Sequence, residues 1–510
     1  MRLRGTLIAR CARVLVAVVL ATGCGSTVQI ASHDGEAPGG PSAHLGSAAP
    51  VLGTGTTQAG VSGAAPGSPA PQGSTTTGSL GLSGQSPTDG ATAPSSQLSA
   101  WPETGRGFTK STIYLGVPIS DASTYSKTLG INGVDSGDTM AQYDAIVADI
   151  NHHGGIAGRR ISLVVHQFST AEEVDNPAQA NQAACADWTQ DHHVFAVLNG
   201  GYIIEDVLLA CLARAHTPLI GAGGIDAQRL YQPTYAKYPL FFNVGDMLGE
   251  TYDRVSIQRL VARHFFQGWD TAQGAPGVAP VKIGMIVPEG QSGDYLLASV
   301  QRQLARFGLK PTSVVRVRTG TQGSGDAASA QLRFRSLGIT HVVANPGLAF
   351  METAEQQGYR PRYFLPAALQ VYASTAPAAQ LRGAMAEDYL PAYDVAAAQY
   401  PGDPTPEAVH CREVAKKAGQ DLSSPSLLWA MQFECDEFYF VQAAVSAAGG
   451  LSTAAALGHA FDDLGSRTQS AMTWKTSFGP TLHASTQALR DLAFETGCSC
   501  WRFTSKQNYG

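Results

Sequence analysis

The residues whose types and spacing invite chemistry are two histidine pairs, a glycine knot and eight cysteines. The stretch INHHGGIAGRRISLVVHQF, Ile150 to Phe168, sets His152 and His153 before Gly154, Gly155 and Gly158, then Arg159 and Arg160 before an apolar run. Three chemistries are open to it: a metal site, a phosphate loop, or a chain reversal. A phosphate loop runs strand, glycines, helix, so that the helix N-terminus faces the anion. Here the order is helix, glycines, strand. The glycines therefore stop a helix, where a positive φ is wanted, and the two arginines flank the turn at the surface. Adjacent helical residues point about 100° apart, so the histidine pair grips no single metal easily. As partly positive side chains they suit a helix carbonyl end, and Asp191-His192-His193 repeats the arrangement. HExxH, GxSxG and GxxxxGK[ST] are absent, and no cysteine lies near a plausible catalytic histidine. GTQGSGD (320–326) lacks the lysine of a phosphate loop and reads as a solvent loop. No catalytic residue, metal or cofactor is expected.

The cysteines divide by context. Arg2, Arg4, Arg10 and Arg13 precede the short apolar run VLVAVVLA, Val14 to Ala21. That run falls short of the roughly 18–20 residues that cross a bilayer. Residues 1–23 therefore read as an export signal. ATGC, Ala21 to Cys24, resembles a bacterial lipobox with the usual leucine shifted to Leu20, which makes Cys24 a lipid acceptor and the membrane a partner. The alternative is an ordinary secretory signal with Cys24 as a bystander. Residues 24–108, rich in Gly, Ser, Thr, Ala and Pro, cannot offset their ordering entropy and read as a disordered tether. A coil of ~80 residues reaches about 50 Å. The net charge of −6 gives no sign of a nucleic-acid partner.

Beyond the tether, apolar strands alternate with helices: strands at 112–120, 159–168, 194–200, 218–224 and 238–246, helices at 137–153, 176–192 and 205–216. The rhythm restarts with strands at 281–290, 312–320 and 340–347 and helices at 294–308, 326–338 and 349–358, with 363–371 completing the series. Helices follow at 405–418, 427–448 and 452–464, and LAFETGCSCWRF reads as a last strand. Near-continuous apolar strands between helices mean parallel sheets covered on both faces, an α/β class. Six cysteines remain in this part, an even number that suggests disulfides in an exported chain. Right-handed crossovers put consecutive helices side by side, which pairs Cys185 with Cys211. Cys411 and Cys435 lie on neighbouring later helices and form the next pair. Cys498 and Cys500, two apart in a strand, are left for a strained third pair, with Cα atoms about 6.5 Å apart.

Two tandem α/β units behind an export signal, with IYLGVPIS, ADINHHGGIAGRRISLVV, HHVFAVLNGG, TPLIGAGG and VKIGMIVPEGQSGDYLLASV in that order, resemble the type I periplasmic binding proteins. The similarity is to the branch that binds leucine, isoleucine and valine for ABC importers, and covers Thr112 to Phe503. Gln167 stands near where that branch usually has an aspartate. The resemblance implies two Rossmann-like lobes with parallel sheets joined by a three-segment hinge. Lobe 1 would hold 109–246 and 385–465, and lobe 2 would hold 247–384 and 466–510. A small-molecule ligand would lie between them, beyond the C-terminal strand ends. The residues there are Ser120, Ser123, Asn199, Gly200, Gly201, Tyr202, Ala222, Gly223 and Gly224 in lobe 1, and Glu289, Tyr295, Asn345 and Gln370 in lobe 2. Lobe 1 would offer hydroxyls and free amides to a carboxylate or amide group, with Glu289 and Asp294 the nearby acids of lobe 2. The resemblance implies an importer permease as partner and an extracytoplasmic place. A ligand sensor reporting to another protein is the competing reading, and an enzyme a weaker third.

Overall fold

The computed structural model describes residues 102–120, 135–169, 176–200, 206–221, 231–318, 321–344, 346–366, 369–451 and 453–510. The signal, Cys24 and the tether up to residue 101 lie outside the described residues. Residues 102–108, expected at the end of the tether, belong to the folded body. Phe108 is buried, and Gly105 bridges to it. Arg159 holds this segment by donating from Nε to the Thr109 carbonyl (2.7 Å) and from Nη2 to the Pro102 carbonyl (2.7 Å). Arg159 is thus buried rather than a surface flank.

The first sheet has the order β13-β5-β4-β3-β1-β2, built from β1 (Thr112–Ile119), β2 (Arg160–Gln167), β3 (Ala196–Leu198), β4 (Leu219–Gly221), β5 (Phe241–Met247) and β13 (Ala484–Thr486). All its pairings are parallel. Its helices are α1 (Thr139–His152), α2 (Pro177–Ala186), α3 (Asp206–Arg214) and α4 (Gln232–Lys237), followed after the second unit by α10 (Pro406–Lys417), α11 (Pro425–Ala447) and α12 (Ala456–Asp462). The glycine corner is the expected helix stop. Gly154, Gly155 and Gly158 all have positive φ, and a Cβ on Gly155 would lie 2.0 Å from the Arg159 carbonyl oxygen. His153 and His193 each place Nδ1 2.8 Å from the carbonyl four residues back, closing the last turns of their helices.

The second sheet, β15-β14-β12-β11-β10-β8-β9, joins β8 (Ile283–Pro288), β9 (Pro311–Val317), β10 (His341–Val343), β11 (Arg362–Phe364) and β12 (Met385–Asp388) in parallel. The expected last strand is instead a hairpin, β14 (Arg490–Glu495) and β15 (Cys500–Phe503), added antiparallel to β12. The helices are α5 (Gly249–Ala262), α6 (Gln291–Ala305), α7 (Thr321–Leu337), α8 (Leu348–Gln356) and α9 (Leu369–Thr375). The glycine cluster read as a solvent loop is largely the first turns of α7. A two-stranded ribbon, β6 (Trp269–Asp270) with β7 (Ala275–Pro276), precedes β8. Two strands cross the expected segment limits. Met385–Asp388 stands in the second sheet, and Ala484–Thr486 completes the first.

One apolar cluster runs from Ile113 and Val117 through Phe438 and Val441 of α11 to Met285 and Val343. α11 starts on Ser424, whose hydroxyl accepts from the Leu427 amide, and Pro425 suits the first helical position. Cys185–Cys211, Cys411–Cys435 and Cys498–Cys500 are bonded. The last pair spans the β14–β15 turn rather than one strand. The turn brings its Cα atoms to 5.2 Å, closer than a strand allows. Removing Cys411–Cys435 with a double alanine variant should cost about 3 kcal/mol, since the bond closes a long loop and staples α10 to α11. Urea unfolding measures the loss; an unchanged midpoint would mean that the helices need no staple.

Candidate functional site

The chain leaves β5 at Met247 and enters α5, which packs on β12 of the second sheet. Where β5 and β12 end, Tyr389 donates its hydroxyl to Asp246 at 2.9 Å. This contact ties the crossover after β5 to the one after β12. Tyr231, between β4 and β5, reaches over: its hydroxyl donates to Asp253 of α5 (3.1 Å), and its ring lies 6.2 Å from that of Tyr295 on α6. A Cβ on Gly249 would lie 2.7 Å from the Tyr231 ring, so glycine there makes room for the clasp. The Gln232 amide adds a bond to Glu250, 3.2 Å from either carboxylate oxygen.

Of the sequence-derived site residues, Ser123, Gly201, Tyr202, Ala222, Gly223, Gly224 and Asn345 lie outside the described residues. Ser120 is half-buried at the end of β1. Asn199 and Gly200 follow β3, but their backbone amides are not open to a ligand. Both donate to the Glu437 carboxyl of α11, at 3.1 Å from Asn199 and 3.1–3.2 Å from Gly200. Glu289 is exposed, and Asp294 is paired with Arg316 on the surface. Tyr295 is half-buried against Tyr231. Gln370 opens α9, and its Nε2 is shielded from solvent with no hydrogen-bond partner among the described residues. A buried amide donor without an acceptor is costly.

The groups missed by sequence reasoning are the buried acids around these edges. Asp394 accepts from the Leu369 amide at 2.7 Å and so seats the start of α9. Burial and the neighbouring Asp388 push its carboxyl well above the ordinary range. Burial raises Asp388 as well, and its Oδ2 has no hydrogen-bond partner among the described residues. Burial pushes Asp246 up to about 6 and Asp253 up to about 7, although the Tyr389 and Tyr231 hydroxyls act against that rise. Burial, with Glu434 beside it, also raises Glu437 well above its usual value, against the pull of the two amides it accepts from. The acids of ECDE (434–437) inside a long apolar helix, and the alternation EDYLPAYD (387–394), were the available signals.

Chemically, the crossovers bring together two neighbouring tyrosines, an amide donor without a partner among the described residues, and buried acids raised above their ordinary range. No nucleophile–base pair stands out among them. No curated protein matches this chain significantly. Solved structures share its architecture. One is an ABC transporter substrate-binding protein from Desulfitobacterium hafniense in complex with Leu, at 13% identity and TM-score 0.52, covering 78% of this chain and 100% of that one. A fatty acid ABC transporter substrate-binding protein from Thermomonospora curvata gives 15%, 0.54, 79% and 94%. A branched chain amino acid ABC transporter protein from Thermus thermophilus with bound valine gives 14%, 0.52, 78% and 96%. The family model described as periplasmic binding protein matches residues 130–496, and with most of its length so matched on two parallel sheets, this chain belongs to the periplasmic binding protein family and has its type I fold.

Proposed function

We propose that the chain is an extracytoplasmic solute-binding protein, tethered through a lipid on Cys24, that holds a small carboxylate- or amide-bearing ligand between its two sheets and delivers it to an ABC importer. The observation that carries this reading is Gln370: a shielded Nε2 donor without an acceptor among the described residues, in the first turn of α9 in the second sheet's unit. A ligand oxygen there offsets its desolvation. The related structures hold leucine or valine, or carry the name of a fatty acid transporter, and those ligands share a carboxylate. The basic N-terminus, short apolar run and Ala21–Cys24 motif support the anchor. Binding rather than catalysis fits a cleft whose acids serve to hold the crossovers together.

A thermal-shift screen of amino acids and small organic or fatty acids tests the reading, because a ligand bound only by the folded state raises the melting temperature. Gln370→Ala should weaken the hit about tenfold, and Tyr231→Ala by more, since it opens the clasp. A ligand that stabilises the wild type and both variants equally binds elsewhere.

A further inference from the structure

At the opposite end of the first sheet lies a second cavity, of about 540 Å³, between the last turns of α1, the start of α10, the middle of α11 and the segment after α12. α1 runs back from the C-terminal strand ends to the start of β2, so the walls at Asp149 and His153 lie toward the other end of the sheet. Its volume falls in the range of small-molecule sites.

Its walls are largely apolar, with Ile150, Phe440 and Ala443 among them, and its polar groups converge on Asp149. Asp149 Oδ2 accepts from the Tyr439 hydroxyl at 2.7 Å and faces His410 Nε2 at 3.2 Å. His153 Nδ1 is 3.6 Å from Oδ1 and bonds instead to the Asp149 carbonyl at 2.8 Å. Oδ1 is thus left without a hydrogen-bonded donor among the described residues. Glu407 supplies a second carboxylate, and the lining contains neither lysine nor arginine. The floor acid, Asp436, is buried beneath the Ser470 hydroxyl and the Ala471 amide and is pushed up to about 8, so it is largely neutral at pH 7. Two carboxylates in a mainly apolar pocket without a fixed cation repel anions and want a positive guest. A metal is a poor guest, because no three suitable groups converge among the described residues. An ammonium group fits: its N–H groups reach Oδ1, and an attached apolar body covers the walls.

We propose that this cavity is a second ligand site, separate from the cleft, that takes a small primary amine with an apolar body. Its anchor is Asp149, held in place by Tyr439 and His410. The probe is 2-phenylethylammonium, titrated calorimetrically into the full chain, with 3-phenylpropionate and 2-phenylethanol as anionic and neutral controls of similar size. Saturable binding of the ammonium compound is expected, with both controls at least about tenfold weaker. Asp149→Asn should weaken the ammonium by about tenfold or more. Ser446→Trp, at an exposed position on the rim, fills the cavity without touching the core and should abolish binding. No saturation by about 10 mM, equal binding of the three probes, or binding unaffected by Ser446→Trp would each overturn the proposal.

Discussion

Glu437→Ala should destabilise the folded chain by about 3 kcal/mol, whereas Glu437→Gln should cost about 1 kcal/mol or less. Glu437 is fully buried at the middle of α11, accepts from the Gly200 amide just beyond β3, and shares the Asn199 amide with the Ile220 carbonyl. Alanine leaves the half-buried Gly200 amide without this acceptor, at roughly 1–3 kcal/mol, and adds a cavity, while the Asn199 amide keeps the Ile220 carbonyl at 2.9 Å. Glutamine keeps an acceptor oxygen and the volume. Burial and Glu434 raise the native carboxyl in the direction of the uncharged form that glutamine mimics. Urea unfolding of the two variants measures the contrast. Equal and large losses would mean that the ionised carboxylate is the stabilising form. Equal and small losses would mean that water replaces it at the amides.

Glu437 also marks where sequence reasoning stopped. Hydrophobic period and glycine position located the longer strands and most helices, because a strand buried on both faces and a helix stop each leave a local pattern; α5 and the short α4, β6, β7, β12 and β13 were missed. Two errors of topology share one cause. β12 and β13 are short strands beside the crossovers, and which sheet receives them is decided by contacts distant in sequence, such as Ala484 beside Asn243. The C-terminal run was read as one strand because its apolar residues continue through the Cys498–Cys500 turn. In the site, strand ends were legible as places: Tyr295 lies against Tyr231, and Gln370 lies in the first turn of α9. The occupancy of the β3 amides was not legible: Glu437 lies 237 residues from Gly200, and an acid in an apolar helix does not announce its partner. Tyr231 was passed over because its partner Asp253 belongs to the other sheet's layer.

The buried acids make a second large effect measurable in the absence of ligand: the melting temperature should fall by about 5 °C between pH 6.5 and pH 8.5. In the unfolded chain aspartate and glutamate titrate near pH 4. In the folded chain burial raises Asp253 to about 7 and Glu434 and Asp436 to about 8. A raised folded pKa means that the folded state binds more protons. Its stabilising share is complete below the unfolded value and is lost as pH rises through the folded one. His341, lowered to about 4 by burial, and His483, lowered for the same reason, act in the opposite direction. Their unfavourable share acts below the unfolded histidine value near 6.5 and is gone above it. Between pH 4 and 6.5 acids and histidines therefore partly cancel, while from 6.5 to 8.5 the acids act alone. Asp326, lowered to about 2 by Arg318, finishes its own contribution below this window. Asp253→Asn removes one titrating acid while keeping an oxygen for Tyr231, so the fall should shrink in that variant. Differential scanning calorimetry across the range decides it. A melting temperature that rises from pH 6.5 to 8.5 would mean that these carboxyls are ionised in the folded protein and held by donors supplied from outside the described residues.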